Sequence, residues 1–319
     1  MEFIKAEKVV GALIGALRRE TVLPQLIWLD PAGDFKGAKG DTITLRIPAV
    51  TSARKRGLRS GATRTRDGLA EGTVAVTLTT NLYKDVEITD AELTLDIEDF
   101  GAQVLQPISA GMVQGWEDEV ADLMGSATYA KSVAFDPDDP QRSFARAGKH
   151  LNMAFVPQSG RVAVVGANIA EDIITSDQAR RADSAGDSGN AALREAMILP
   201  LAGFGRILVS AALDPDEGFA FHRTAYAGSS KVPQVPEGVP WGTTMSKGGF
   251  AMRAIRAFDP SADAWQDILG FDSFVGTNIV QDHGEFDDDG RWVAAEEPDN
   301  ENGTDLQFIR AVKITRAGS

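Results

Sequence analysis

The chain has 319 residues, 43% hydrophobic and 24% charged, an ordinary balance for a folded globular protein. Lys and Arg total 32 against 46 Asp and Glu, a formal charge of −14 that disfavours general affinity for nucleic acid or an anionic membrane. With no cysteine, disulfides, zinc–thiolate sites and cysteine nucleophiles are excluded, and a reducing cytoplasm is the expected place of synthesis.

From the start, Ile4, Val9, Leu13 and Leu17 recur at near-helical spacing, with Arg18 and Arg19 where cations suit a helix C-terminus. The apolar run Val9 to Leu17 is too short to span a bilayer, and Glu2 and Glu7 argue against a basic signal-peptide region. Pro24 ends any helix. Leu23, Leu26, Ile27, Trp28 and Leu29 then form a dense apolar patch. It packs either within the chain's own fold or on a partner subunit.

Residues 31–40 are turn material, with Pro31, Gly33, Gly37 and Gly40. Asp41 to Ile47 alternates apolar and polar residues, as does the stretch around Val74, Val76 and Leu78; both read as half-buried strands. The long connection between them holds Arg54, Lys55, Arg56, Arg59, Arg64 and Arg66, the one strongly basic stretch of an acidic chain. Three readings compete. A nucleic-acid patch would lack any aromatic residue for stacking. A solvated loop needs no further explanation. A projecting hairpin would lay its arginines on a neighbour's acidic surface, for which this sequence offers Glu117, Asp118, Glu119 and Asp122.

Those acids sit on the longest helix expected, Ile97–Met124. Ile97, Phe100, Val104, Ile108, Met112, Trp116, Val120 and Met124 follow steps of three or four residues. Such a helix is roughly 40 Å long, and Pro107 is expected to bend it. Thr89 and Glu92 have capping-box spacing for a turn beginning near Asp90, and Thr94 or Asp96 caps the long helix. The acids crowd its C-terminal turns, where the helix dipole disfavours them and cations from elsewhere would relieve them.

Beyond it, Asp136 to Pro140 is a loop and Phe144 to Met153 a short helix. Arg161–Gly166 is a buried strand, 176–190 a polar loop, and 191–201 helix or strand. Arg206 to Ala212 is a strand, Phe219 to Ala227 mixed, and Pro233, Pro236 and Pro240 mark an irregular excursion. Phe250 to Phe258 reads as a strand, Ala264 to Leu269 as a helical turn or two. Asn278 to His283, Arg291 to Ala295 and Phe308 to Thr315 read as strands.

Little here carries chemistry. His150, His222 and His283 lie apart, without ligands at metal spacing, and no serine-hydrolase elbow, zincin motif or Walker loop is present. Glu285, Asp287, Asp289, Gly290 and Glu296 have the spacing of a calcium loop. The first position is Glu where the motif wants Asp, no exit helix follows, and an Asp-Gly turn closing a hairpin explains the same residues. Residues 282–305 carry ten acidic side chains against one arginine, a solvated loop or an exterior or inter-subunit acidic patch.

A series of segments, matched in order, resembles the major capsid proteins of tailed bacteriophages with the HK97-type fold, in the subgroup of the phage P22 coat protein. It comprises Thr21-Val-Leu-Pro24 with Leu26-Ile-Trp28, Gly40-Asp-Thr-Ile-Thr44, Leu82-Tyr-Lys-Asp-Val-Glu-Ile-Thr-Asp90 and Leu95-Asp-Ile-Glu-Asp-Phe100. Arg161-Val-Ala-Val-Val165, Leu193-Arg-Glu195, Gly203-Phe204, Ala220-Phe-His222 and Gly270-Phe271 complete it. The resemblance implies an α+β chain: an N-terminal arm (1–39), an E-loop hairpin (40–80), a P-domain (81–154) with spine helix 97–124, and mainly A-domain over 155–285. An acidic hairpin and a C-terminal strand (286–319) return to the P- and A-domains. It implies a non-enzymatic shell protein without cofactors or metals, forming hexamers and pentamers of an icosahedral head in the virion. Assembly takes place in the host bacterial cytoplasm, without membrane binding. Portal and separate scaffolding proteins are the implied partners, and double-stranded DNA is enclosed without sequence-specific binding. Leu23, Leu26, Ile27 and Trp28 are then arm contacts, and the basic loop and the spine acids inter-subunit contacts. An encapsulin-like compartment and an α/β enzyme are the alternatives.

Overall fold

The computed structural model describes residues 22–29, 42–47, 57–58, 63, 72–89, 104, 106–176, 203–239, 241–247, 250–259, 266–295 and 305–316. Among the described residues the first α-helix, α1, is Gln106–Ser126, 21 residues and about 30 Å long. The expected stripe is its buried face: Met112, Trp116, Val120 and Met124 are at most 5% exposed. Residues 97–103 lie outside the described part. Pro107, expected as a bend within the strut, is the second residue of α1 as described, with Val104 helical before it.

A six-stranded sheet packs on α1. Its organising strand is β12 (Gln266–Ile279). One edge pairs with β4 (Thr80–Thr89), the other with β11 (Phe250–Asp259) and then β9 (Tyr226–Lys231). β10 (Trp241–Lys247) and β1 (Trp28–Leu29) close the two ends. Alternation points Leu269, Phe271 and Val275 of β12 at α1, with Val86 and Ile88 of β4 and Met252 and Ala254 of β11. The helical turn expected at Ala264–Leu269 is corrected: from Gln266 on, the chain is strand. Trp265, Ile268 and Leu269 imitate a helix face, but pairing on both edges decides the conformation. Strand β4, β10 within the proline-rich excursion, and helix α3 below were not anticipated.

A second sheet runs β5 (Ser132–Phe135), β16 (Ala311–Arg316), β8 (Glu217–His222), β6 (Arg161–Val165), β7 (Ile207–Val209). Its pleat divides the core. Val164, Phe219, Phe221 and Ala311 join the cluster around α1, whereas Ala163, Val165, Ala220, Val312 and Ile314 face α2 (Pro140–Met153) and α3 (Ala167–Thr175). Helix α2 begins with Asp139, whose carboxylate accepts from the Arg142 N–H at 3.0 Å. Between the sheets Tyr226 and Tyr129 share a hydroxyl hydrogen bond of 2.7 Å, and Tyr129 donates to the Met124 carbonyl at 2.6 Å.

Strands β2 (Thr42–Ile47) and β3 (Gly72–Thr77) form the expected antiparallel pair. β13 (Asp282–Phe286) pairs with β14 (Trp292–Ala294) and β15 (Leu306–Gln307). The residues with calcium-loop spacing belong to this β13–β14 hairpin: Gly290 takes φ +74°, its N–H donates to the Asp287 carbonyl, and the Asp287 carboxylate accepts from the Arg291 N–H at 2.6 Å. Both main sheets draw strands from the 81–154 and the 155–285 segments.

Two histidines resist protonation. Burial lowers the pKa of His150, helped by Lys131 and Lys149. Burial also lowers that of His222, with Arg310, Arg223 and Arg161 adding to it against a hydrogen bond to the Ser159 backbone. Below about pH 6.5 the unfolded chain takes up protons that the folded chain does not. Stability therefore falls as pH drops from about 6.5 through the lowered folded values, and above 6.5 these groups contribute no slope. Urea unfolding at pH 7.5 and 5.5 measures the loss, which is smaller in the His150→Gln/His222→Gln variant.

Candidate functional site

Two extended elements leave the sheets, and both are rooted on the same frame. The first is the N-terminal segment. Val22 offers no side-chain cap to the short 3-10 turn Leu23–Gln25, so its leading N–H groups need an acceptor. Glu117 of α1 supplies it. One carboxylate oxygen, Oε1, accepts from Val22 N–H at 2.9 Å, Leu23 N–H at 3.3 Å and the Ser210 hydroxyl at 3.1 Å. Glu117 is fully buried. Next along the chain, β1 pairs in parallel with β9, Leu29 opposite Gly228. A Cβ at Gly228 would lie 2.9 Å from Ile27 Cδ1 and 3.2 Å from the Trp116 ring, so glycine here leaves these two side chains room to pack against the strand.

The second is the β2–β3 hairpin. Its root lies on β12: Thr79 N–H donates to the Val275 carbonyl at 3.2 Å, and Asn278 Nδ2 to the Ala75 carbonyl at 2.6 Å. A Cβ at Gly276 would sit 2.2 Å from the Thr77 carbonyl oxygen, so this crossing requires glycine. Val74 and Val76 are buried with Ala227 and Val280, and Trp28 and Leu78 pack against them. The two roots therefore share one apolar cluster.

These positions revise the expected contacts. Leu23, Leu26 and Ile27 are at most 9% exposed in the chain's own core, so their surface is already covered within the subunit. Trp28 is half-buried against the hairpin root. Glu117 leaves the expected surface cluster because its carboxylate is turned inward. Asp118 and Asp122 are exposed, and Glu119 is half-buried, accepting from the Thr80 hydroxyl at 3.3 Å. Arg54, Lys55, Arg56, Arg59, Arg64 and Arg66 lie outside the described residues. The acidic 282–305 stretch is partly structural: Asp282 forms a two-point ion pair with Arg310, and Asp305 holds His283 at 2.7 Å. Among the described residues no group of His, Asp and Glu side chains is arranged to hold a metal ion, and no helix is long and apolar enough to cross a membrane.

Sequence reasoning missed the anchoring role of Glu117 and of the two glycines. The one available signal was a glutamate beside Trp116 on the apolar stripe. Glu117→Ala strands two backbone N–H groups in the core, at about 1–3 kcal/mol each. Its expected effect is a loss of that order in urea unfolding and faster limited proteolysis within the first 25 or so residues, read by mass spectrometry.

No protein-family model and no curated protein sequence matches the chain. Solved structures do. The structure titled Mycobacterium phage Che8 superposes with a TM-score of 0.65 at 20% identity, over 95% of this chain and 94% of that one. The capsid structure of the cyanophage P-SCSP1u gives a TM-score of 0.63 at 12% identity, over 95% and 90%. The head structure of Helicobacter pylori bacteriophage KHP40 gives 0.60 at 9% identity, over 86% and 85%. With its arm, hairpin, spine helix and two sheets, this chain has the HK97-type fold of phage capsid proteins.

Proposed function

We propose that the chain is the major coat subunit of a tailed-phage head. Many copies assemble as hexamers and pentamers into an icosahedral shell around double-stranded DNA, in the host bacterial cytoplasm, with portal and scaffolding proteins as partners. Its role is structural rather than catalytic. The observation that carries this reading is the superposition on phage capsid structures over about 95% of the chain. In a ring of subunits a neighbour offers surface for a projecting hairpin and arm to pack on.

Within this reading α1 and the six-stranded sheet form the P-domain, and the five-stranded sheet with α2 and α3 forms the A-domain. Residues 132–154 then move from the P-domain to the A-domain. The basic Arg54–Arg66 stretch docks on a neighbour's Asp118, Glu119 and Asp122, with Glu117 withdrawn from that surface.

Two experiments test these statements. Negative-stain electron microscopy of the expressed protein is expected to show capsomers or shells; a monomer under every condition contradicts the coat reading. Arg54→Glu with Arg56→Glu is expected to abolish or strongly reduce particles while leaving circular dichroism and melting unchanged, and adding Asp118→Arg with Asp122→Arg restores them. Normal particles from the first variant refute the docking.

A further inference from the structure

An open groove of about 600 Å³ runs along α2, from Gln141 past Lys149 to Phe155, with Arg161 and Arg291 on its walls. Among the described residues no acidic side chain lines it. Arg142 and Arg146 extend its positive surface on the exposed face of the same helix. In a chain of charge −14 such a concentration of cations is local and directional. Phe155 marks the groove further. It is 71% exposed and takes φ +55°, a backbone region that bulky residues avoid and that glycine occupies freely at a helix end. An exposed ring held there serves no purpose in the subunit's own core.

The complementary surface stands beside the groove. The β13–β14 hairpin tip exposes Glu285, Asp287, Asp288 and Asp289, with half-exposed Val293 adjoining them. In its own subunit the tip stops short of filling the groove, Gly290 resting against Met153. Among the described residues, Lys149, Arg291, Asp288 and Asp289 are in no ion pair.

We propose that the groove receives the acidic hairpin tip of a second copy of this chain. Because groove and tip adjoin on one surface, two copies exchange tips reciprocally about a twofold axis. The incoming carboxylates meet Lys149, Arg291 and the α2 arginines, and Phe155 covers the apolar flank of the tip at Val293. A nucleic-acid phosphate is the other anion that would fit, but the charge of the whole chain opposes it. The contact deepens the coat reading, and rests on it only for the supply of neighbouring copies.

The cysteine-free sequence makes the test clean, since each introduced thiol is unique. A Lys149→Cys chain is mixed with an Asp288→Cys chain, oxidised, and run on a non-reducing gel. The expected result is a disulfide-linked heterodimer several-fold above that from Tyr83→Cys mixed with Asp288→Cys. Phe155→Gly in both chains is expected to lower that yield several-fold without lowering the melting temperature. Equal yields in the two mixtures overturn the inference. Electron microscopy of the unmodified protein is read separately: particles without a heterodimer excess leave the coat reading standing and sink this contact. Absence of any oligomer sinks the coat reading, while the gel still decides the contact. Duplex-oligonucleotide binding by the unmodified chain that is lost in Lys149→Glu, with no heterodimer excess, assigns the groove to phosphate and overturns the proposal.

Discussion

One buried carboxylate oxygen ties the arm to the spine. Glu117 Oε1 takes two backbone N–H groups from Val22 and Leu23 and the hydroxyl of Ser210, which leads out of β7. Three chain regions far apart in sequence thereby meet on one atom of α1. A carboxylate in a core is costly unless it is hydrogen-bonded, and here backbone groups that would otherwise be orphaned supply the bonds. The interaction fixes where Val22 and Leu23 sit against α1.

The hairpin depends on the same frame by a different device. Gly276 lets backbone cross backbone at a distance that any Cβ would forbid, and Gly228 leaves room for the Ile27 and Trp116 side chains. The cluster of Val74, Val76, Ala227 and Val280, with Trp28 against it, joins hairpin root and arm root. In the proposed shell subunit, reaching parts need to be held firmly where they leave the body. Long β12, paired on both edges, and α1 beneath it make that body stiff.

The periodic elements were legible in the sequence. The stripe from Ile108 to Met124, the alternating pair 42–47 and 72–77, the strand at Arg161 and the closing strand all follow from spacing alone. The Asp-Gly turn at Gly290 was legible for the same local reason. What failed was decided by partners distant in sequence. Gln266 to Leu269 is strand because β4 and β11 flank it, although its apolar spacing imitates a helix. Glu117 reads as one of four surface acids until the arm is seen to need an acceptor. Leu23, Leu26 and Ile27 fit a neighbour as well as their own core until Trp116 is placed beside them.

The carboxylate tie makes the Val22 and Leu23 amides the most telling atoms in the chain. Native-state hydrogen exchange, resolved to these two amides by NMR, measures whether they are held. Protection comparable to that of the α1 amides is expected in the intact chain, and its loss in Glu117→Gln, whose amide oxygen is a weaker acceptor than a carboxylate. Rapid exchange of both amides in the intact protein, at the rate of an unstructured terminus, would contradict it.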